Sequence, residues 1–421
     1  MLLSTTVALG IVVSLATAEV LPLRRRHDVR LSTRSANAAL TTADFGLIYD
    51  VEVTIGGQNF LLVADTGSSD LWVVGEGYEC ISGANNSVIP QGACRFASAT
   101  YHKSPTFKKT SGQVFGAQYG VGIAVGELGT EEVSFAGYTI ESQTFGYVER
   151  TTAPGSGIDS GILGLGYPIL TSGHQGDSVD NSSLLFNRTT YNPVLTNLIA
   201  QGSIDPWYSF AIERLQDKDQ EGPGGFLALG ELPPVAHSRK FAVAPVEITE
   251  AIPVVLTNNT RQITEWTLSV SQIVWGPQDK PGKFSNTTAF QAIVDTGSMF
   301  NNIPSEVFNE IVALVDPAPV LDEGSGAYRV SCNAKVPKLG VTIGDQTFYH
   351  LDEDLILFNY LGDGGCVLAL QPSVAATGLA LNFIGDPLLK NVVSVFDFGK
   401  NEMRFAARKD GGGTSKDFSD S

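Results

Sequence analysis

The sequence predicts a mainly β protein built from two similar β-rich halves, with a functional site where they meet. Three observations carry this. Gly is abundant (45 of 421 residues), and Val, Ile, Thr, Phe and Tyr are frequent, a composition that favours strands over helices. The tetrapeptide Asp-Thr-Gly-Ser occurs twice, at 65–68 and 295–298, 230 positions apart. Each copy follows an apolar run and has its own downstream triplet of two apolar residues and a Gly: Ile162-Leu163-Gly164 for the first, Phe383-Ile384-Gly385 for the second. The chain therefore divides into halves at 36–232 and 233–409, joined near Leu232-Pro233-Pro234.

The elements follow in order. Tyr49, Val51, Val53 and Ile55 alternate with Asp50, Glu52 and Thr54, Gly56-Gly57 turns the chain, and Phe60–Ala64 returns. That hairpin delivers Asp65 from the end of a buried strand. Asn192 is placed as an N-cap with Pro193 in the first turn of a helix over Val194–Ala200, which Gly202 terminates. A second helix follows Pro304, with Val307, Ile311 and Leu314 on one side. Gly222-Pro223-Gly224-Gly225 predicts a turn before the last strand of the first half. From Gly411 to Ser421 the chain is mostly Gly, Ser and Asp, so 410–421 is expected to be a disordered tail without a lipid-anchoring signal.

The net charge is −17 and the pI about 4.7, which excludes nucleic acid or an anionic membrane as the obvious partner, since both need a basic face. Met1–Ala18 is mostly apolar and ends in small residues, Ala16 and Ala18, as a signal peptide does, although it carries no Lys or Arg. Residues 19–35 hold five Arg against Glu19 and Asp28, a net +3 ahead of a body at −20, and read as a short basic propeptide. In an exported chain the four Cys predict disulfides. Of three connectivities, the local one joins Cys80 to Cys94 and Cys332 to Cys366, closing loops of 14 and 34 residues. No Cys-x-x-Cys or His pair accompanies them, so neither zinc nor any other metal or cofactor is expected. Sequons at Asn85, Asn181, Asn187, Asn258 and Asn286 predict N-glycosylation of an extracellular or vacuolar protein.

Two buried carboxylates brought within about 4 Å repel by ~4 kcal/mol at an effective dielectric near 20, so one holds a proton while the other stays charged. Such a pair can act as base and acid on one water. The segments Ala64–Val73 and Val294–Ser298 resemble the signatures of the pepsin-like aspartic proteases, and the resemblance covers about Leu40 to Arg408. It implies a bilobal pepsin-like acid protease fold with a central active-site cleft, catalysis by Asp65 and Asp295, and a monomer acting on protein or peptide substrates. Gln118–Gly122 looks like the family's flap, with Tyr119 and Gly120 at its tip. Asp159–Pro168 and Phe383–Asp386 match the segments that pass behind the acids, and Cys332–Cys366 matches a family disulfide. Thr66 and Thr296 are implied to bond across to the opposite loop. Gly67 and Gly297 would let backbone N–H groups approach the carboxylates, and Ser68 and Ser298 would donate to the outer oxygens. Trp72 would support the Tyr119 hydroxyl, with Ile162 beside it in a hydrophobic subsite.

Departures from the family pattern shape the expectation. Met299-Phe300 should make the nearby subsites more apolar, and Val121 after Gly120 offers no carboxylate to select a basic residue at the cut. The leader is short and has no Lys to plug the dyad. The spacing between the acids is long, with the extra length assigned to about 169–190 and 250–265. The rival of another class is a pepsin-fold protein that binds proteins or glycans without cleaving them; such proteins usually lose an acid or the flap tyrosine, and all three are present. A serine hydrolase lacks its Gly-x-Ser-x-Gly elbow and a metalloprotease its His-Glu-x-x-His. A retroviral-type enzyme needs two chains with one motif each, whereas this chain carries two.

Overall fold

The computed structural model describes residues 36–178, 184, 188–215, 219–257, 259–376 and 379–414. The expected signal and propeptide segments (1–35), the sequons at Asn181, Asn187 and Asn258, and the last seven residues lie outside these.

Alternation builds the first hairpin as expected. Strands Ile48–Ile55 and Gln58–Asp65 pair antiparallel, with Tyr49, Val51, Val53 and Ile55 buried in the core. Gly56 and Gly57 take φ of +55° and +77°, which lets two residues close the turn. Asp50 breaks the pattern. It belongs to the face expected to be polar, yet it is fully buried and neither carboxylate oxygen has a partner.

Each half threads a short strand alongside its acid-bearing strand. Gly161–Gly164 runs parallel to the end of Gln58–Asp65, pairing Asp65 with Gly164. Phe383–Ile384 runs parallel to Phe290–Val294 in the same way. Both aspartates thus leave the carboxyl ends of central strands flanked by a parallel neighbour.

The halves do not separate cleanly at 232/233. One sheet crosses that point in the order Asn37–Ala43, Gly222–Leu229, Trp207–Ile212, Val392–Asp397, Glu402–Ala407 and Ala242–Pro245. The last hairpin of the first half lies beside the last hairpin of the second, and Tyr208 stacks on Phe396 at 4.9 Å across the junction. Tyr208 Oη and Trp266 Nε1 both donate to the Leu165 carbonyl, at 2.9 and 3.2 Å, which joins the halves beneath the site.

Four local expectations are corrected. The helix Val194–Ala200 is capped by Pro193, with no side-chain cap from Asn192, whose carbonyl instead accepts Gln143 Nε2 at 2.9 Å. The second helix stops at Val312, so Val307 and Ile311 are buried but Leu314 lies beyond it and is exposed. Gly222–Gly225 is the start of strand Gly222–Leu229 and not a turn; the register slips between Leu40 and Thr41, and the glycines absorb that bulge. Residues 411–414, expected within a disordered tail, are held in place: Asn391 Oδ1 accepts Gly412 N–H at 2.7 Å and Tyr349 N–H donates to the Gly413 carbonyl at 3.0 Å.

Disulfides join Cys80 to Cys94 and Cys332 to Cys366.

Candidate active site

The two Asp-Thr-Gly loops meet at the junction of the halves. Thr66 N–H donates to Thr296 Oγ1 at 3.1 Å, and Thr296 N–H returns a bond to Thr66 Oγ1 at 3.0 Å. Each hydroxyl donates onward to the opposite strand, Thr66 to the Val294 carbonyl at 2.8 Å and Thr296 to the Ala64 carbonyl at 2.6 Å. All four bonds are buried.

This lock brings the carboxylates together. Gly67 N–H donates to Asp65 Oδ1 and Gly297 N–H to Asp295 Oδ1, both at 2.8 Å. A Cβ on Gly67 would stand 2.5 Å from Asp295 Cγ, and one on Gly297 would stand 2.6 Å from Asp65 Oδ1. Only glycine leaves room for the opposing carboxylate at either place. The two carboxyls therefore face each other across the loops. Burial first, and then the Asp65 charge, push the Asp295 pKa well above the ordinary carboxylate range, while the Gly297 N–H opposes this. The two acids titrate as a pair, and which of them carries the proton belongs to the pair as a whole.

The serines are not equivalent. Ser68 Oγ donates to Asp65 Oδ2 at 2.5 Å. Ser298 Oγ instead donates to the Phe300 carbonyl at 3.0 Å, which corrects the expectation that it would donate to its aspartate. The second loop turns its own backbone oxygen toward the hydroxyl, so the Asp295 carboxyl lacks the serine bond that Asp65 has.

The flap is the hairpin of Lys108–Gln118 and Ile123–Phe135, closed at its tip by Tyr119 N–H to the Gly122 carbonyl at 2.9 Å. Trp72 Nε1 donates to Tyr119 Oη at 2.6 Å. Tyr119 and Ile162 pack against a cluster formed by Trp72, Val74, Phe115 and Val148, so three expected subsite residues come together on the first half. Gly120 sits at the open tip with no atom within 4 Å of where a Cβ would be. Met299 and Phe300 pack on a separate apolar cluster that joins Leu47 of the first half to Ala327 and Leu357 of the second, and Phe300 meets Tyr360 edge-on at 5.0 Å.

Three residues near the dyad carry no role in the sequence pattern. Asp70, inside the first signature, is buried and accepts Ser172 N–H at 2.8 Å and the Tyr191 hydroxyl. Arg188 donates to the carbonyls of Leu170 and Thr171 and to Ser172 Oγ, with its charge in the field of Asp70, Tyr191, Glu265 and Tyr119. Glu265 is buried beside Trp266, in the field of Asp295 and Asp65. Asp70 could have been noticed from its place in the motif. Arg188 lies in the long segment assigned to extra loop, and Glu265 has no neighbouring signal.

Two facing carboxyls at the junction of two β-rich halves, with a hairpin that carries a tyrosine, fit an aspartic-type peptide hydrolase. Residues 48–408 match the eukaryotic aspartyl protease family, and the chain belongs to that family. It is 33% identical over 390 residues to a probable aspartic-type endopeptidase of Aspergillus fumigatus, covering 91% of this chain and 84% of the relative. It is 27% identical over 374 residues to human gastricsin, covering 85% and 81%. Its fold is similar to the crystal structure of an aspartic proteinase from Irpex lacteus, with a TM-score of 0.66, 23% identity, and coverage of 89% and 97%.

Proposed function

We propose that the chain cleaves proteins at acidic pH through a water activated by Asp65 and Asp295. In this reading the charged member of the pair takes a proton from the water as its oxygen bonds to the peptide carbonyl carbon. The protonated member gives its proton to the carbonyl oxygen, forming a neutral tetrahedral diol. Collapse breaks the C–N bond, returns a proton to the leaving nitrogen and restores the shared-proton pair. Such a reaction needs one carboxyl charged, one neutral, and both in reach of the same water. The observation that carries it is the facing of the two carboxyls, each so close to the opposite loop that a Cβ on Gly67 or Gly297 would strike it at 2.5 or 2.6 Å.

The apolar cluster under Tyr119, with Trp72 and Ile162, supports a preference for large hydrophobic residues beside the cut. The 18-residue apolar start, the basic stretch after it and two disulfides support export of a short zymogen. Asn85 is exposed and Asn286 half-exposed, which fits glycosylation at both. We read the protein as a monomer, since one chain carries both acids. Among the described residues, no helix is long and apolar enough to cross a membrane.

The test uses the protein with its leader removed. It should digest denatured globin at about pH 3–4 and be blocked by a statine-type inhibitor. Asp65→Asn and Asp295→Asn should each abolish the activity while thermal melting stays cooperative. Undiminished cleavage by either variant removes the dyad from the account, and retained binding of globin without cleavage by the wild type would favour the non-catalytic reading.

A further inference from the structure

A hairpin standing over a cleft exposes the outer edge of one of its strands, and an edge strand leaves backbone N–H and C=O groups unpaired. In this flap that edge is covered. Strand Lys108–Gln118 pairs with Ile123–Phe135 on one side and with Gly173–Gln175 on the other, which sets Gly173 opposite Phe115 and His174 opposite Val114. Arg188–Thr189 pairs in turn with Gly173–Gln175, and Thr189 Oγ1 donates to Gln113 Oε1 at 3.0 Å. Gly116 is held by both of its backbone groups. Its N–H donates to the Ser172 carbonyl at 3.0 Å, and its carbonyl accepts from His174 Nε2 at 2.8 Å. The cover stops there, short of Tyr119 at the tip.

Ser172 joins three parts of the site. Its N–H donates to Asp70 Oδ1 at 2.8 Å, inside the first signature, while its carbonyl receives the flap strand at Gly116. Its Oγ accepts from Arg188 Nη2 at 3.0 Å. The same nitrogen donates to the carbonyls of Leu170 and Thr171, the second at 3.1 Å. Three oxygens on successive residues thus converge on one nitrogen of a guanidinium, which stays charged at any pH where the protein would work. Beyond Thr189 the chain reaches Tyr191, whose hydroxyl donates to Asp70 and whose ring packs with Trp72, Phe115 and Tyr119.

We propose that Arg188 is a positioning residue for the flap. By gathering Leu170, Thr171 and Ser172 it fixes the segment that ties the flap strand to the first signature, and so sets the height of Tyr119 above the two acids. The inference rests on the reading of the site as a peptidase. A strand held in this way confines opening to the tip beyond Gly116, and less of the substrate's binding energy goes into ordering the hairpin. Without the guanidinium the three oxygens lose their common donor, and the covering strand loses its anchor.

The experiment compares the wild-type protein, its leader removed, with Arg188→Met, which keeps the length of the side chain and removes its donors. Amide hydrogen exchange over 113–117 should quicken by about tenfold in the variant, while exchange over 48–65 stays as it was. On a synthetic peptide with Phe on both sides of the cut, KM should rise by about tenfold, kcat should change by less than about threefold, and the pH profile should not move. Arg188→Lys should recover part of both losses. Unchanged exchange over 113–117 overturns the assignment, as does faster exchange spread evenly over the chain or a loss confined to kcat. If Arg188→Met does not fold, Ser172→Ala removes only the Oγ acceptor and should show the same pattern at about threefold. A wild-type protein that cuts neither the peptide nor globin would defeat the peptidase reading, while the exchange data would still decide whether Arg188 holds the flap strand.

Discussion

Thr66 and Thr296 each use one hydroxyl twice, accepting from the other's backbone N–H and donating to the carbonyl that precedes the other's aspartate. A side chain that both accepts and donates cannot be replaced by one that only fills space. Thr296→Val should leave the Thr66 N–H and the Ala64 carbonyl unsatisfied and cost about 1–3 kcal/mol in urea unfolding. Thr296→Ser keeps both bonds and should cost less. Thr66→Val removes the other two bonds of the lock, so Thr66→Val combined with Thr296→Val loses all four and should be more destabilising than either change alone.

Trp72 and Tyr119 make the corresponding test for the flap. Their 2.6 Å bond ties the hairpin tip to strand Leu71–Ile81, which begins within the first signature. Trp72→Phe keeps an aromatic ring in the cluster but removes the donor. It should lower kcat/KM by roughly tenfold, with a much smaller loss of melting temperature. Trp72→Phe and Tyr119→Phe should couple in a double-mutant cycle, since either one alone forfeits the same bond.

Asp50 predicts a pH dependence of stability with a definite sign. Burial first, and then the charge of Asp159, raise its pKa to about 8 from an ordinary 3.8. A carboxyl whose proton is held more tightly in the folded state costs nothing below about pH 4, where both states are protonated. Between about pH 4 and 8 the unfolded state ionises and the folded one does not, so stability falls by up to about 1.4 kcal/mol per pH unit for this group. Asp50→Asn should therefore match wild type in melting temperature at low pH and exceed it increasingly toward neutrality. Parallel melting curves across that range would show that Asp50 does not contribute this loss.

Gly67 gives a steric prediction. A methyl group there would stand 2.5 Å from Asp295 Cγ, closer than real Cβ contacts allow. Gly67→Ala should force the carboxylates apart and reduce kcat by several orders of magnitude, with inhibitor affinity falling in parallel. Activity near the wild-type level would mean that the two loops can part without losing the chemistry.

Local patterns reach much of the site and miss what depends on long-range cover. The Asp-Thr-Gly-Ser copies, the 48–65 hairpin and the neighbouring cysteine pairs are written in adjacent residues, and the structure pairs the hairpin strands and the cysteines as that local text implies. Identical motifs make Ser298 look the equal of Ser68; the difference lies in the Phe300 carbonyl, whose direction no motif records. Alternation assigns Asp50 to a polar face and cannot see that distant chain closes over that face. Arg188 and Glu265 are single charged residues without a surrounding pattern. Their meaning comes only from the neighbours that folding brings to them.

The shared sheet sets an order on the birth of the molecule. Strand Trp207–Ile212 takes one neighbour from its own half and the other from Val392–Asp397, near the far end of the chain. During synthesis the first half therefore emerges with an open strand edge that nothing yet made can cover. It must wait, unpaired along that edge, until Val392–Asp397 has been made. The same hairpin that closes the sheet also carries the chain past the segment behind Asp295. Completion of the scaffold and completion of the dyad are thus one late event, and a ribosome-bound fragment of the first half cannot cut anything.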